Sequence, residues 1–154
     1  MKVEYHIETA FAPEFFRAAA RLYRIAGWVA EEDACDFLGA ALGNSCAVCS
    51  AVADGRLIGM GRALGDGVSD AYIQDVVVDP DFRGRGVGSS IVRTLVRELR
   101  RRGTDWLALV GAPGTEGFYR SLGFYSPEGY TFWRIPDDVG GGADEVAGFF
   151  KSDI

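Results

Sequence analysis

Hydrophobic and polar positions change period several times along the chain, and each change marks an element. Val3 to Glu8 alternates and predicts a first strand. Pro13 suits the first turn of a helix, and Phe15, Phe16, Ala19, Leu22 and Tyr23 then recur at helical spacing through about Ile25. Gly27 breaks that pattern, and a shorter helix is expected over Glu31–Leu42, ahead of a turn at Gly43-Asn44. Ala47–Ala53 and Leu57–Leu64 read as two strands of a hairpin turning at Asp54-Gly55. Asp70–Val78 is a third central strand, rich in β-branched residues and stopped by Asp79-Pro80. The clearest helix is Val87–Arg102, where Val87, Ile91, Leu95 and Leu99 fall at four-residue steps with Gly103 as C-cap. Trp106–Val110 predicts another strand, Thr115–Leu122 a short helix stopped by Gly123, and Tyr130–Ile135 a last core strand.

This mixture of strands and helices reads as one α/β domain over residues 1–136. Residues 137–154 read as a tail in which Gly140-Gly141-Gly142 forms a hinge, with Val146, Phe149 and Phe150 free to dock on this chain or on a partner. A length of 154 residues with 48% apolar and 25% charged positions is ordinary for a single globular domain. No run approaches eighteen apolar residues, and the N-terminus has no apolar signal core, so the expectation is a cytoplasmic protein without a membrane partner. A net charge of −6 argues against nucleic acid as a partner.

Cys46 and Cys49 have the spacing of a redox or zinc pair, but the chain has only three cysteines and one histidine, His6. Zinc wants four ligands. The cysteines therefore read as structural, and no metal is expected.

The positive charge is concentrated. Arg83, Arg85, Arg93, Arg97, Arg100, Arg101 and Arg102 are seven of the sixteen lysines and arginines. Most of them read as the solvated face of a helix. Arg83 and Arg85 differ, because they lie in Arg83-Gly84-Arg85-Gly86-Val87-Gly88-Ser89, between a strand and a helix. The first amides of a helix lack intrahelical partners and sit at the positive end of its dipole. Gly84, Gly86 and Gly88 let a phosphate approach the backbone, the two arginines add charge, and Ser89 offers a hydroxyl. A diphosphate suits this loop. It is not a P-loop, which needs a lysine, and it lacks the G-x-G-x-x-G spacing of a dinucleotide fold.

Asp75 is a carboxylate inside an otherwise apolar strand, a placement that needs a partner. It reads equally as a base or charge partner for a ligand and as an anchor for a loop or cap. Alternation sets it opposite Gln74 and Val76, with Tyr72 and Gln74 sharing the other face.

The loop, the preceding Val76-Val77-Val78-Asp79-Pro80 and the later Phe118-Tyr119-Arg120-Ser121-Leu122-Gly123-Phe124 together resemble the GCN5-related N-acetyltransferase (GNAT) superfamily. The two blocks stand in order, about thirty residues apart, and the likeness covers roughly Val3 to Ile135. In detail it is nearest to small-molecule amine acetyltransferases of the arylalkylamine type. The resemblance implies a mostly antiparallel sheet, flanked by helices and splayed between two parallel strands, with acetyl-CoA in the gap. It implies that Val76 and Val78 bind the cofactor through main-chain groups, that an amide near Val77 meets the oxyanion, and that residues 83–89 hold the pyrophosphate with Phe118 nearby. Tyr119 stands where the family places the acid that protonates the leaving thiolate. The implied reaction is direct attack by the primary amine of a small molecule in a ternary complex, with Trp28, Tyr72 and Gln74 as candidates to line the acceptor site. Many relatives are homodimers, so self-association is one expected state. The family often has Asn or Asp seven residues before the tyrosine, where this chain has Ala112. A noncatalytic CoA-binding module and a protein N-acetyltransferase are the alternatives.

Overall fold

In the computed structural model, which describes residues 1–136, the apolar runs become one five-stranded sheet. Its strands are β1 (Val3–Ile7), β2 (Ala47–Ala53), β3 (Arg56–Gly65), β4 (Asp70–Val78) and β5 (Trp106–Leu109), lying side by side in sequence order. The first four pair antiparallel, and β5 joins β4 in parallel. Four helices accompany them: α1 (Pro13–Ile25), α2 (Leu38–Gly43), α3 (Val87–Arg101) and α4 (Glu116–Ser121). This is the mixed α/β sheet that the sequence predicts.

Both faces of the sheet are covered, which is why β2 reads as an almost unbroken apolar run. Ala47, Cys49, Ala51 and Ala53 pack with Val87, Ile91, Val92, Leu95 and Leu99 of α3. Val48 packs on the other side with Ala19, Leu22 and Tyr23 of α1 and with Leu38 and Leu42 of α2. The two-residue hairpin turn uses Asp54 (φ 48°) and Gly55 (φ 74°), the paired positive angles that match strand twist. Contact between α3 and β3 is close enough to require glycine. A Cβ on Gly61 would lie 2.9 Å from Ile91 Cγ2 and 3.3 Å from Leu95 Cδ1.

Residues Met1–Phe124 form one compact unit that contains every helix and strand among the described residues. Two expectations are corrected. The second helix does not start at Glu31 but at Leu38. Asp33 turns its carboxylate onto the Cys35 amide at 2.7 Å, and Cys35 takes φ 58°, so the chain leaves helical geometry there. No strand forms over Tyr130–Ile135. Gly129 (φ 82°) and Pro136 bracket the run, and residues 125–136 contain no second run to make a ladder with it. The tail expected beyond Pro136, with its glycine hinge, lies outside the described residues.

Candidate functional site

The site begins with an irregularity in β4. Arg62 faces Gln74 and Met60 faces Val77, so Gly61 alone opposes both Asp75 and Val76. Two residues against one make a β-bulge, which leaves backbone outside the ladder and bends the strand. Asp75 takes φ 54° there, a left-handed angle that few residues other than glycine, asparagine and aspartate accept. The bulge also resets the alternation. Ala71 and Ile73, then Val76 and Val78, belong to the α3 side, and Val77 belongs to the α1 side. Asp75 therefore lies on the same side as Tyr72 and Gln74, not opposite them, which corrects the reading from simple alternation.

The Asp75 carboxylate is held by two donors. The Tyr23 hydroxyl of α1 donates to Oδ2 at 2.7 Å, and Arg62 Nε of β3 donates to the same oxygen at 2.6 Å. Arg62 Nη1 also donates to the Ala41 carbonyl in α2 and to the Ser45 hydroxyl, each at 3.2 Å. Burial, followed by the Asp75 hydrogen bond and charge, pushes the Tyr23 phenol far above its usual pKa, so it stays a donor.

Past the bulge the sheet opens. β5 pairs with β4 only from Asp70 to Ile73, and β4 continues alone on that edge to Val78. The Asp79 amide donates to the Ile58 carbonyl at 2.8 Å. Counting back by two puts the Val77 main chain in the β3 ladder and turns the Val78 amide and carbonyl toward the open edge. The Val78 amide thus faces the open edge. The Val77 amide, by contrast, is directed at β3. The Val78 carbonyl accepts from Arg83 Nε at 2.9 Å.

The loop after β4 is fastened from beneath. Asp79 is buried and accepts from Arg21 and Arg56, each at 2.7 Å, and from the Asp81 amide at 3.1 Å. Burial alone would raise its pKa, but the Arg21 hydrogen bond, the Asp81 amide and the charges of Arg21 and Arg56 outweigh that and hold it below the usual carboxylate range. Pro80–Phe82 makes a single 3-10 turn, with the Arg85 guanidinium 5.9 Å and the Arg56 guanidinium 6.0 Å from the Phe82 ring centre.

Gly84 (φ 72°) and Gly86 (φ 78°) then turn the chain into α3, and a Cβ on either would meet nothing within 4 Å. Ser90 is the first residue to bond back to the Gly86 carbonyl, at 3.0 Å. The amides of Val87, Gly88 and Ser89 therefore emerge from the helix start toward the glycine concavity. This open cradle of amides, glycines and two arginines fits a diphosphate. Gly88 faces α4 at ordinary contact distance. A Cβ there would lie 3.5 Å from the Phe118 ring and 3.6 Å from Val78 Cγ2.

Tyr119 stands on α4 beside this opening. Its ring packs edge-on against Phe118 at 4.9 Å and Phe124 at 5.9 Å, and a Cβ on Gly111, just past β5, would lie 3.6 Å from it. Burial pushes its pKa up, so the hydroxyl keeps its proton. Ala112 is exposed and offers only a methyl group.

On the α1 side, Trp28 packs edge-on against Tyr23 at 5.0 Å and Phe37 does so at 5.9 Å, each about half-exposed. Glu31, Glu32, Asp33 and Asp36 are exposed on the segment between them. Tyr72 is exposed and Gln74 half-buried. The structure thus joins Trp28 to Asp75 through Tyr23. Sequence reasoning missed Tyr23 and Arg62 in this cluster and Arg21 and Arg56 beneath the loop. One signal was there to find, a lone arginine in the apolar run Ile58–Leu64 complementing an aspartate in the interior of the next strand.

Residues 5–124 match the model of the acetyltransferase (GNAT) family. The chain is 46% identical over 89 residues to serotonin N-acetyltransferase 2, chloroplastic, of Oryza sativa subsp. japonica, covering 55% of this chain and 44% of that protein. It is 45% identical over 75 residues to GCN5-related N-acetyltransferase 1, chloroplastic, of Arabidopsis thaliana, covering 48% of this chain and 38% of that one. The match thus spans less than half the length of either relative. Among solved structures, a GNAT-family acetyltransferase of Streptococcus pneumoniae superposes with a TM-score of 0.72 at 23% identity, covering 89% of this chain and 100% of the other. AAC(6')-Iy, solved in complex with the bisubstrate analogue CoA-S-monomethyl-acetylneamine, gives 0.69 at 21% identity, covering 88% of this chain and 99% of the other. At those identities the likeness establishes the fold.

Proposed function

The chain belongs to the GNAT acetyltransferase family, and we propose that it transfers the acetyl group of acetyl-CoA to a primary amine of a small molecule within a ternary complex. The observation that carries this reading is the continuity of the open β4 edge with the amide cradle at the start of α3. A diphosphate fits the cradle, and an extended amide-bearing arm fits the edge that β5 leaves unpaired beyond Ile73. When bound, acetyl-CoA supplies an activated thioester.

The chain's own residues then divide the work. The amides of Val87, Gly88 and Ser89 bind the diphosphate with Arg85, and Arg83 braces the strand end at Val78. Val78 and the bulge at Val76 orient the arm through main-chain groups. Tyr119 holds a proton at its hydroxyl for the departing sulfur, and burial keeps that hydroxyl protonated until the transfer. Trp28, Tyr72 and Gln74 line the acceptor side. The exposed acids of residues 31–36 attract a cationic amine to it. The amine acceptor is supported by the likeness to the rice serotonin N-acetyltransferase. The three free cysteines suit a reducing, cytoplasmic compartment.

The test is free-thiol release from acetyl-CoA across a panel of arylalkylamines and polyamines. We expect turnover on small amines, and expect Tyr119→Phe to lower kcat by roughly 10²-fold or more while CoA still binds. Tight binding with no turnover on any small amine, but turnover on peptide N-termini, would reassign the acceptor to protein. Binding with no turnover on either would make the chain a CoA-binding module.

A further inference from the structure

The left-handed bulge is the point from which β4 departs from β5, and a polar cluster on three other elements is attached to it. Asp75 Oδ2 takes the Arg62 Nε and Tyr23 hydroxyl bonds together. Arg62 is nearly buried, with a side chain 12% exposed, and its Nη1 donates to the Ala41 carbonyl and the Ser45 hydroxyl. Three elements, α1, β3 and α2, thereby converge on one residue whose backbone stands in a conformation that most side chains avoid. A general base needs a carboxylate free to take a proton from the amine. This one is neutralised by a guanidinium and already serves a phenol.

We propose that Arg62 and Tyr23 are positioning residues that act through Asp75, locking the β4 bulge so that the strand's open edge holds its shape for acetyl-CoA. This rests on the acetyltransferase reading for its consequence, though not for its geometry. The lock also runs toward the acceptor side, because Trp28 and Phe37 pack on the Tyr23 ring. Asp75 on this account is not the base. Aspartate is placed here because it tolerates the left-handed angle and supplies an acceptor, two properties that asparagine shares.

Two measurements test the lock. The first is amide hydrogen exchange of the ligand-free protein. In Tyr23→Phe and Arg62→Met, the amides of residues 75–78 should exchange roughly tenfold faster or more, while buried amides of α3 and β2 keep their wild-type rates. Unchanged exchange at residues 75–78 in both variants overturns the proposal, and so does a uniform increase across the whole fold. This readout needs no catalysis, so it decides the lock even where no amine is turned over.

The second is the pH dependence of kcat/KM for acetyl-CoA. Asp75→Asn should lose less than about tenfold and keep the wild-type acidic limb, whereas Asp75→Ala, which keeps neither acceptor nor left-handed tolerance, should raise KM for acetyl-CoA far more than it lowers kcat. A fall of 10²-fold or more in kcat for Asp75→Asn, with loss of the acidic limb, would establish Asp75 as the base and end the proposal.

Discussion

Asp79 shows at the scale of one residue how the glycine loop is held. Its carboxylate takes two guanidinium bonds and an amide bond while almost wholly buried, with Arg21 and Arg56 reaching it from outside the strand. Because both arginines keep some solvent contact, Asp79→Asn should destabilise the fold by only about 2 kcal/mol. The pH dependence has a definite sign. A carboxylate whose folded pKa lies below its unfolded one stabilises fully above the unfolded value, about 3.9, and loses that contribution as pH falls through the folded one. Denaturant midpoints of the wild type and Asp79→Asn should therefore differ by a constant amount from pH 8 to pH 5 and converge below about pH 4. A gap that persists undiminished well below pH 4 would mean the charge of Asp79 is not what holds the loop.

At the scale of elements, glycine does two separable jobs around β3, β4 and α3. Gly61 makes room, since a Cβ there would also lie 3.2 Å from Val76 Cγ2. Gly86 turns the chain at φ 78° with open space around it. Gly61→Ala should thus push α3 off the sheet and lower stability by about 1–3 kcal/mol through overpacking, visible as a reduced melting temperature. Gly86→Ala meets no neighbour, and its strain of roughly 1–2 kcal/mol falls on the cradle, so acetyl-CoA affinity should fall more than the melting temperature does. If the two substitutions affected binding alike, the separation of packing from cradle would not stand. Element by element, the sequence was legible where period and punctuation agreed. α1, α3 and the β2–β3 hairpin lie where apolar spacing, Pro13, Gly103 and Asp54-Gly55 put them. It misled at residues 31–37, where a local carboxylate-to-amide bond overrode a helical composition. Tyr130–Ile135 misled too, because its alternation alone does not make a ladder.

At the scale of the whole molecule, the glycine cradle was readable because it is local, with strand, loop and helix continuous in the chain. The cluster around Asp75 was not, because Tyr23, Arg62 and Asp75 come from three elements whose apposition depends on register. One inserted residue in β4 decides which way Asp75 points, and no periodicity reveals a bulge in advance. The same bulge connects the two halves of the site, the open edge on the β5 side and the aromatic cluster beside α1. The central claim is that acetyl-CoA lies along that edge with its diphosphate in the cradle. Its most direct test is backbone amide NMR while acetyl-CoA is titrated into the protein. The account expects saturable shifts concentrated at Val76, Val78 and residues 84–89, with β1 and the far end of α3 unmoved. Saturable shifts centred elsewhere, or no saturation at millimolar acetyl-CoA, would contradict it.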